Sequence, residues 1–282
     1  MATPLPVSIG RIALGTGRPA VCVPLVARTV DAQVDAASAL DTDTADLVEL
    51  RIDFVDAAFA VAPDPDGPVG AGTPATGAAD LDLVADVVRR VRDALDAELP
   101  LLFTLRTEPE GGERDVAPAT YDAVLRSAMA TGLLDAVDVE MYTDPDLLGG
   151  LVDAAHDAGL VVVMSSHDFS GTPTQGEIVS RLLEQQENGA DVAKFAAMPS
   201  GTDDVLTLMQ ATAEFRAGAG IVPAITMSMG PLGVVSRLAG ETFGSCVTFG
   251  SAGASSAQGQ LPAAGLRAAL ELVHEAQQAD GV

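Results

Sequence analysis

Lys194 is the only lysine in a chain of 282 residues, and the other fourteen basic residues are arginine. It lies in the apolar run "DVAKFAAM". A lysine more commonly lays its stem over apolar surface and keeps its ammonium in water. One retained where all others are gone suits covalent chemistry. Desolvation and like charge both disfavour an ammonium, and a neutral amine condenses with a carbonyl to form an imine. Arginine stays protonated and cannot replace it. His167, in "SSHDF", fits a general acid/base, with an unperturbed pKa near 6.5. His156 and His274 fall in helical patterns and are expected at the solvent face. Glu49, Arg51 and Asp53 alternate and so share one face of an extended run. Further polar or soft residues follow at similar places: Arg106 and Glu110, Asp138 and Glu140, Met227 and Met229, Arg237, then "SAGASSAQGQ". Arg51, Arg106 and Arg237 suit an anionic or polyhydroxylated ligand. Equally, acids such as Glu49, Asp53, Glu110 and Glu140 could hold arginines in a structural network, and both could hold at once. No His, Cys and carboxylate cluster has metal spacing, and neither a metal nor a cofactor is expected.

Elements with a strong periodic signal must place these residues. Strand-like apolar runs cover 21–27, 45–53, 100–107, 136–141, 160–169, 190–198, 221–229 and 246–252. Amphipathic helical patterns cover 81–95, 120–132, 144–159, 174–189, 202–218 and 261–276. Many open on Thr or Asp and close on Gly, as helix caps prefer. Continuous apolar strands are the signature of buried parallel strands. Eight strands, each followed by a helix, predict a closed (β/α)8 barrel as one domain over 1–282. An open doubly wound sheet would carry a Gly-rich phosphate turn after the first strand, and "VPLVARTVD" has none. In the barrel, the polar residues fall at the C-terminal strand ends, where barrel active sites lie. His167 and Lys194 then sit on neighbouring strands about 4.8 Å apart, with Arg237 opening the seventh helix. "VSIGRIALGTGRP" predicts a hairpin turning at Gly-Thr-Gly and capping one end of the barrel. Residues 57–80, centred on "APDPDGPVGAGTPATGAAD", lack periodicity and predict a flexible surface insertion near the site.

The formal net charge is −25, from 40 acidic and 15 basic residues. Such a surface disfavours nucleic acid and anionic membranes as partners. It also repels itself at low salt, and molar salt screens that repulsion to about 3 Å, so a high-salt setting is expected. Codon bias toward Asp, Ala, Gly, Val and Arg would enrich the same residues but does not fix the sign of the charge. Cys22 and Cys246 are too few for a disulfide framework and are expected as free core thiols. No basic leader and no apolar run of membrane-spanning length are seen, so a cytoplasmic protein acting on a small molecule is expected, with homodimerisation left open.

The motifs "ADLVELRID", "LLFTLRTEPEGGE", "VDVE", "SSHDFSGTP", "ADVAKFAAMP", "MSMGPLGVVSRL", "FGSCVTFG" and "SAQGQLP" occur in order. Together they resemble type I 3-dehydroquinate dehydratases, from about Val7 to the last helix. The resemblance implies a metal-free (β/α)8 barrel that dehydrates 3-dehydroquinate to 3-dehydroshikimate through a Schiff base. It implies that Lys194 forms the imine with the C3 ketone. His167 would take the C2 proton and help the C1 hydroxyl leave, with Glu110 orienting it. Arg237 would hold the substrate carboxylate, and Glu49, Arg51 and Arg106 the ring hydroxyls. Met227, Met229 and Phe249 would be apolar walls, and Ser256 and Gln260 part of a closing loop. The family's loop usually reads Ser-Ala-Pro-Gly-Gln; here Gln258 stands at the proline. The alternatives weighed are another Schiff-base barrel of the class I aldolase type and a binding barrel without catalysis.

Overall fold

The computed structural model describes residues 4–59, 78–253 and 256–279. Most of the expected insertion, residues 60–77, therefore lies outside the described residues. The chain opens with an antiparallel hairpin, β1 (Val7–Ile9) and β2 (Ile12–Leu14). It turns at Gly10, φ 52°, and not at the Gly-Thr-Gly stretch, which follows β2. A two-residue hairpin loop needs positive φ at its first central position, and Gly10 supplies it there. That register leaves Ile9 and Leu14 buried, packed on the inward residues of the barrel. The hairpin thus caps one end of the barrel, as the sequence predicted.

Eight parallel strands build the barrel: β3 (Ala20–Leu25), β4 (Leu47–Arg51), β5 (Leu101–Thr104), β6 (Ala136–Glu140), β7 (Val161–Asp168), β8 (Val192–Ala197), β9 (Ala224–Ser228) and β10 (Val247–Ser251). They pair in chain order, and β10 returns to β3. Between β9 and β10, the Cys246 amide donates to the Ala224 carbonyl at 2.8 Å, closing the ring. A two-residue β11 (Leu261–Pro262) lies beside β10. Inside the ring, Cys22, Leu47, Leu102, Val163, Val192, Ile225 and Val247 form an apolar layer below the polar mouth. Cys22 and Cys246 are both buried and free, as expected.

One device recurs at the strand bases. Asp46, just before β4, accepts from the Val21 amide at 2.8 Å and donates its own amide to the Val21 carbonyl. Asp135 treats Leu101 the same way, and Asp191 treats Val162 the same way. At the fourth alternate seam, the Ser245 hydroxyl accepts from the Thr226 amide at 3.0 Å. Each side chain thereby satisfies a donor at the frayed base of a ladder, where an unmet buried amide is costly.

Helices wrap the outside: α1 (Val30–Ser38), α2 (Leu81–Ala94), α3 (Pro118–Met129), α4 (Pro145–Asp157), α5 (Gln175–Glu187), α6 (Thr202–Ala217), α7 (Val234–Leu238), α8 (Gly240–Phe243) and α9 (Ala263–Ala279). Their starts follow capping chemistry. Asp80 accepts from the Leu83 amide, and Thr174 with Glu177 forms a reciprocal capping box. α2 buries Val84, Val87, Val88 and Val91, the i, i+3, i+4, i+7 stripe of an amphipathic helix. The helix expected after the seventh strand is split into α7 and α8. Gly240 at the break packs so closely that a β-carbon would stand 2.8 Å from both Pro19 and the Ser245 carbonyl. Arg237 consequently lies in the last turn of α7 and does not open the helix.

Candidate active site

The C-terminal strand ends enclose a cavity of about 250 Å³. β4 brings Glu49 and Arg51, β7 His167, β8 Lys194, β9 Met227, and β10 Phe249. Arg106, Glu110 and Met229 lie just beyond their strands, Arg237 comes from α7, and Ser256 and Gln260 come from the loop after β10. Every residue singled out from the sequence for catalysis or binding lines this one cavity. Gly111, Phe169, Met198 and Gln258 line it too, and sequence reasoning assigned them no contact.

Lys194 lies at the buried end, two residues above the apolar layer residue Val192 and paired in register with Ser165 and Ile225. Its Nζ lies 2.8 Å from Asp138 Oδ2, 3.8 Å from Glu49 Oε1 and 5.0 Å from the Phe249 ring centre. Like-charge crowding of this lysine was anticipated. Instead, Asp138 stands between the cations: its Oδ2 also meets Arg106 Nη2 at 2.7 Å. Burial disfavours the Asp138 carboxylate, but Arg106, Lys194 and the Ser165 hydroxyl outweigh it and hold the carboxyl well below its ordinary range. Asp138 and Glu140 lie beneath the cavity wall as its electrostatic foundation. The sequence placed both on the fourth strand, in "VDVE", but offered no signal that Asp138 would meet Lys194.

The three arginines divide. Arg51 is held bidentately by Asp53, at 2.8 and 2.7 Å. Arg106 pairs with Asp138 and, at 2.9 Å, with Glu140. Arg237 is 2 % exposed and has no acidic partner among the described residues. Its Nη1 reaches only Met227 Sδ at 3.7 Å, its Nη2 the Gln258 carbonyl at 3.4 Å, and its Nε is unsatisfied. Burial pulls its pKa down to about 10, so it remains a cation at neutral pH. A desolvated guanidinium with unused donors has the capacity to take an anion.

Glu110 Oε2 accepts from the His167 amide at 2.6 Å and lies 2.9 Å from His167 Nδ1. With Nδ1 occupied, Nε2 is the ring nitrogen left to a ligand. Burial pushes the imidazole well below its ordinary pKa, helped by Arg106 and Lys194. Burial also raises Glu110 to about 7, with Arg106 opposing and Glu140 adding to the rise. The pair therefore rests with His167 neutral. Of the other histidines, His156 is exposed against Asp191, whereas His274 is half-buried against Glu241 Oε1, short of the full exposure expected.

The loop over the mouth is fixed by a backbone crossing. Gly259, φ 80°, passes so close to Gly230 that a β-carbon would stand 2.3 Å from its carbonyl oxygen. Within the loop, Gln260 Nε2 donates to Ser256 Oγ at 2.7 Å. Gln258 meets Arg237 through its backbone carbonyl, a group a proline would present equally.

A family model for type I 3-dehydroquinase matches residues 21–277. The 3-dehydroquinate dehydratase of Syntrophotalea carbinolica is 42% identical over 268 residues, 95% of this chain and 98% of that one. That of Clostridium novyi is 40% identical over the same shares. Among solved structures, the type I enzyme from Clostridium difficile, described with covalent modified comenic acid, superposes with a TM-score of 0.86 at 36% identity. That match covers 97% of this chain and 99% of that one. Barrel, polar mouth and these relatives agree, and the chain belongs to the type I 3-dehydroquinate dehydratases, lyases of the shikimate route to aromatic amino acids.

Proposed function

We propose that this chain dehydrates 3-dehydroquinate to 3-dehydroshikimate through an imine on Lys194. The observation that carries the reading is the burial of the chain's one lysine at the end of the cavity, against Asp138. Lys194 passes its ammonium proton to His167, and Nζ attacks the C3 carbonyl as the neutral amine. The carbinolamine hydroxyl takes that proton back and leaves as water, giving a neutral His167 and an iminium. That cation stays beside the Asp138 carboxylate, which holds it as it holds the ammonium. His167 Nε2 takes the C2 proton, and the C–H electron pair flows into the iminium as an enamine. The enamine then expels the C1 hydroxyl, which takes a proton from His167 and departs as water. Hydrolysis of the remaining iminium releases the product and restores Lys194, so one water is lost overall.

Other roles follow from the same geometry. Glu110 accepts the hydrogen bond from His167 Nδ1–H and fixes the tautomer whose Nε2 is a base. Arg237 takes the substrate carboxylate with the donors left unused. Glu49, Arg51 and Arg106, held by their partners, present polar edges to the ring hydroxyls. Met227, Met229 and Phe249 form apolar walls, and Ser256 and Gln260 close the mouth. Family membership sets aside the class I aldolase alternative. Steady-state kinetics of Lys194→Arg test the proposal, because the variant keeps the charge against Asp138 but cannot condense. Turnover should fall below detection; turnover near wild type would overturn it.

A further inference from the structure

Phe169 is a large aromatic side chain that is 46% exposed at the mouth of the cavity. Its ring lies parallel to that of His167, with centroids 6.3 Å apart and planes at 17°. The tip of the ring rests on Gly111, where a β-carbon would stand 2.1 Å from Phe169 Cζ. Only glycine, here at φ 82°, lets the ring seat at that depth. The segment carrying the ring is pinned on both sides. Asp168 Oδ1 accepts from the Ser170 amide at 3.1 Å, Asp168 Oδ2 from Arg181 at 3.3 Å, and the Asp168 carbonyl from the Met198 amide at 2.8 Å.

The ring thus bridges the turn after β5 that carries Glu110 and the end of β7 that carries His167. Below it both side chains are nearly buried, at 10% and 12% exposure, although they stand at an open mouth. Offset parallel rings at this separation attract, and a rigid apolar cover keeps water from competing for a buried hydrogen bond. We propose that Phe169 is a positioning residue that clamps the His167 ring onto Glu110 and keeps the pair dry. The proposal rests on the acid/base role given to His167 above. Burial depresses His167 and raises Glu110, as a dry pair requires. The charged groups facing the two are Arg106, Lys194, Asp138, Arg51 and Glu140.

The test is Phe169→Ala, read by two independent measurements. The first is the rate of diethylpyrocarbonate labelling at each of the three histidines, by peptide mass spectrometry. His167 should label about five to ten times faster as water and reagent reach it, while His156 and His274 keep their wild-type rates. The second is kinetics: kcat should fall about tenfold with KM little changed, and Phe169→Tyr should restore both readings. Should Phe169→Ala label faster at all three histidines, Phe169→Leu repeats the test with a smaller change. Unchanged kcat, with or without faster labelling, overturns the proposal. A rise in KM alone also overturns it and makes Phe169 a substrate wall. A His167→Ala enzyme with normal kcat would instead overturn the acid/base role beneath it.

Discussion

Glu110 carries the site's pH dependence. Its folded-state value, about 7, lies above its ordinary 4.5. Ionising it therefore opposes folding: the cost is absent below the ordinary value, grows between the two, and is complete above about pH 7. A shift of that size corresponds to about 3 kcal/mol. Activity should run the other way, because ionised Glu110 accepts the hydrogen bond from His167 Nδ1–H more strongly than the protonated acid does. kcat/KM should fall as pH drops through about 7, measured as a pH–rate profile in which the pair titrates as a unit. Glu110→Gln should flatten that limb and raise the melting temperature at pH 8 while lowering kcat about 10²-fold or more. A variant that lost stability at pH 8 would contradict this balance. For Arg237, Arg237→Lys keeps a charge but loses the fork. KM should rise about tenfold or more, with circular dichroism unchanged. His167 and Lys194 were legible because polar side chains at the ends of apolar strands have few structural reasons to exist, whereas the roles of Glu110 and Arg237 came with the family resemblance. Asp138 was not: its partner comes from β8, 56 residues away, and no local pattern encodes that meeting.

At the scale of elements, eight strands and most helices were legible because their periodicity and caps are local. The hairpin turn was misplaced because Gly10 and the Gly-Thr-Gly stretch offer the same backbone freedom. Only the packing of Ile9 and Leu14 on the barrel chooses between them. The split between α7 and α8 likewise depends on what Gly240 meets across the fold, a contact invisible in sequence. The aspartates before β4, β6 and β8 precede their strands in "ADLV", "LDAV" and "ADVA", and their role is tertiary. Asp46 is the most enclosed, gripped by Arg18 at 3.0 Å and Arg267 at 2.9 Å. Asp46→Ala leaves the Val21 amide buried without a partner and should cost about 1–3 kcal/mol. In urea the midpoint should fall while kcat stays at the wild-type value, since Asp46 lies outside the cavity lining. An unchanged midpoint would show that the amide finds another acceptor.

For the whole molecule, the charge of −25 sits on a surface whose cations are largely committed. Among the described residues, Arg11, Arg216 and Arg237 are the arginines without an acidic partner, so most excess acids face one another across solvent. At about 0.01 M salt the Debye length is roughly 30 Å and that repulsion spans much of the surface, whereas at 1 M it shrinks to about 3 Å. The melting temperature at pH 7 should therefore rise from low to molar KCl, and a flat or falling value would assign the acidity to codon usage. The same composition makes the central claim testable on the intact chain, because one lysine means one side chain able to form an imine. The measurement is intact-protein and peptide mass spectrometry after borohydride reduction in the presence of 3-dehydroquinate. The account predicts one substrate-derived adduct per chain, on the peptide containing Lys194, and none on Lys194→Arg. A fully active enzyme that yields no adduct, or an adduct at the N-terminal amine alone, would contradict it.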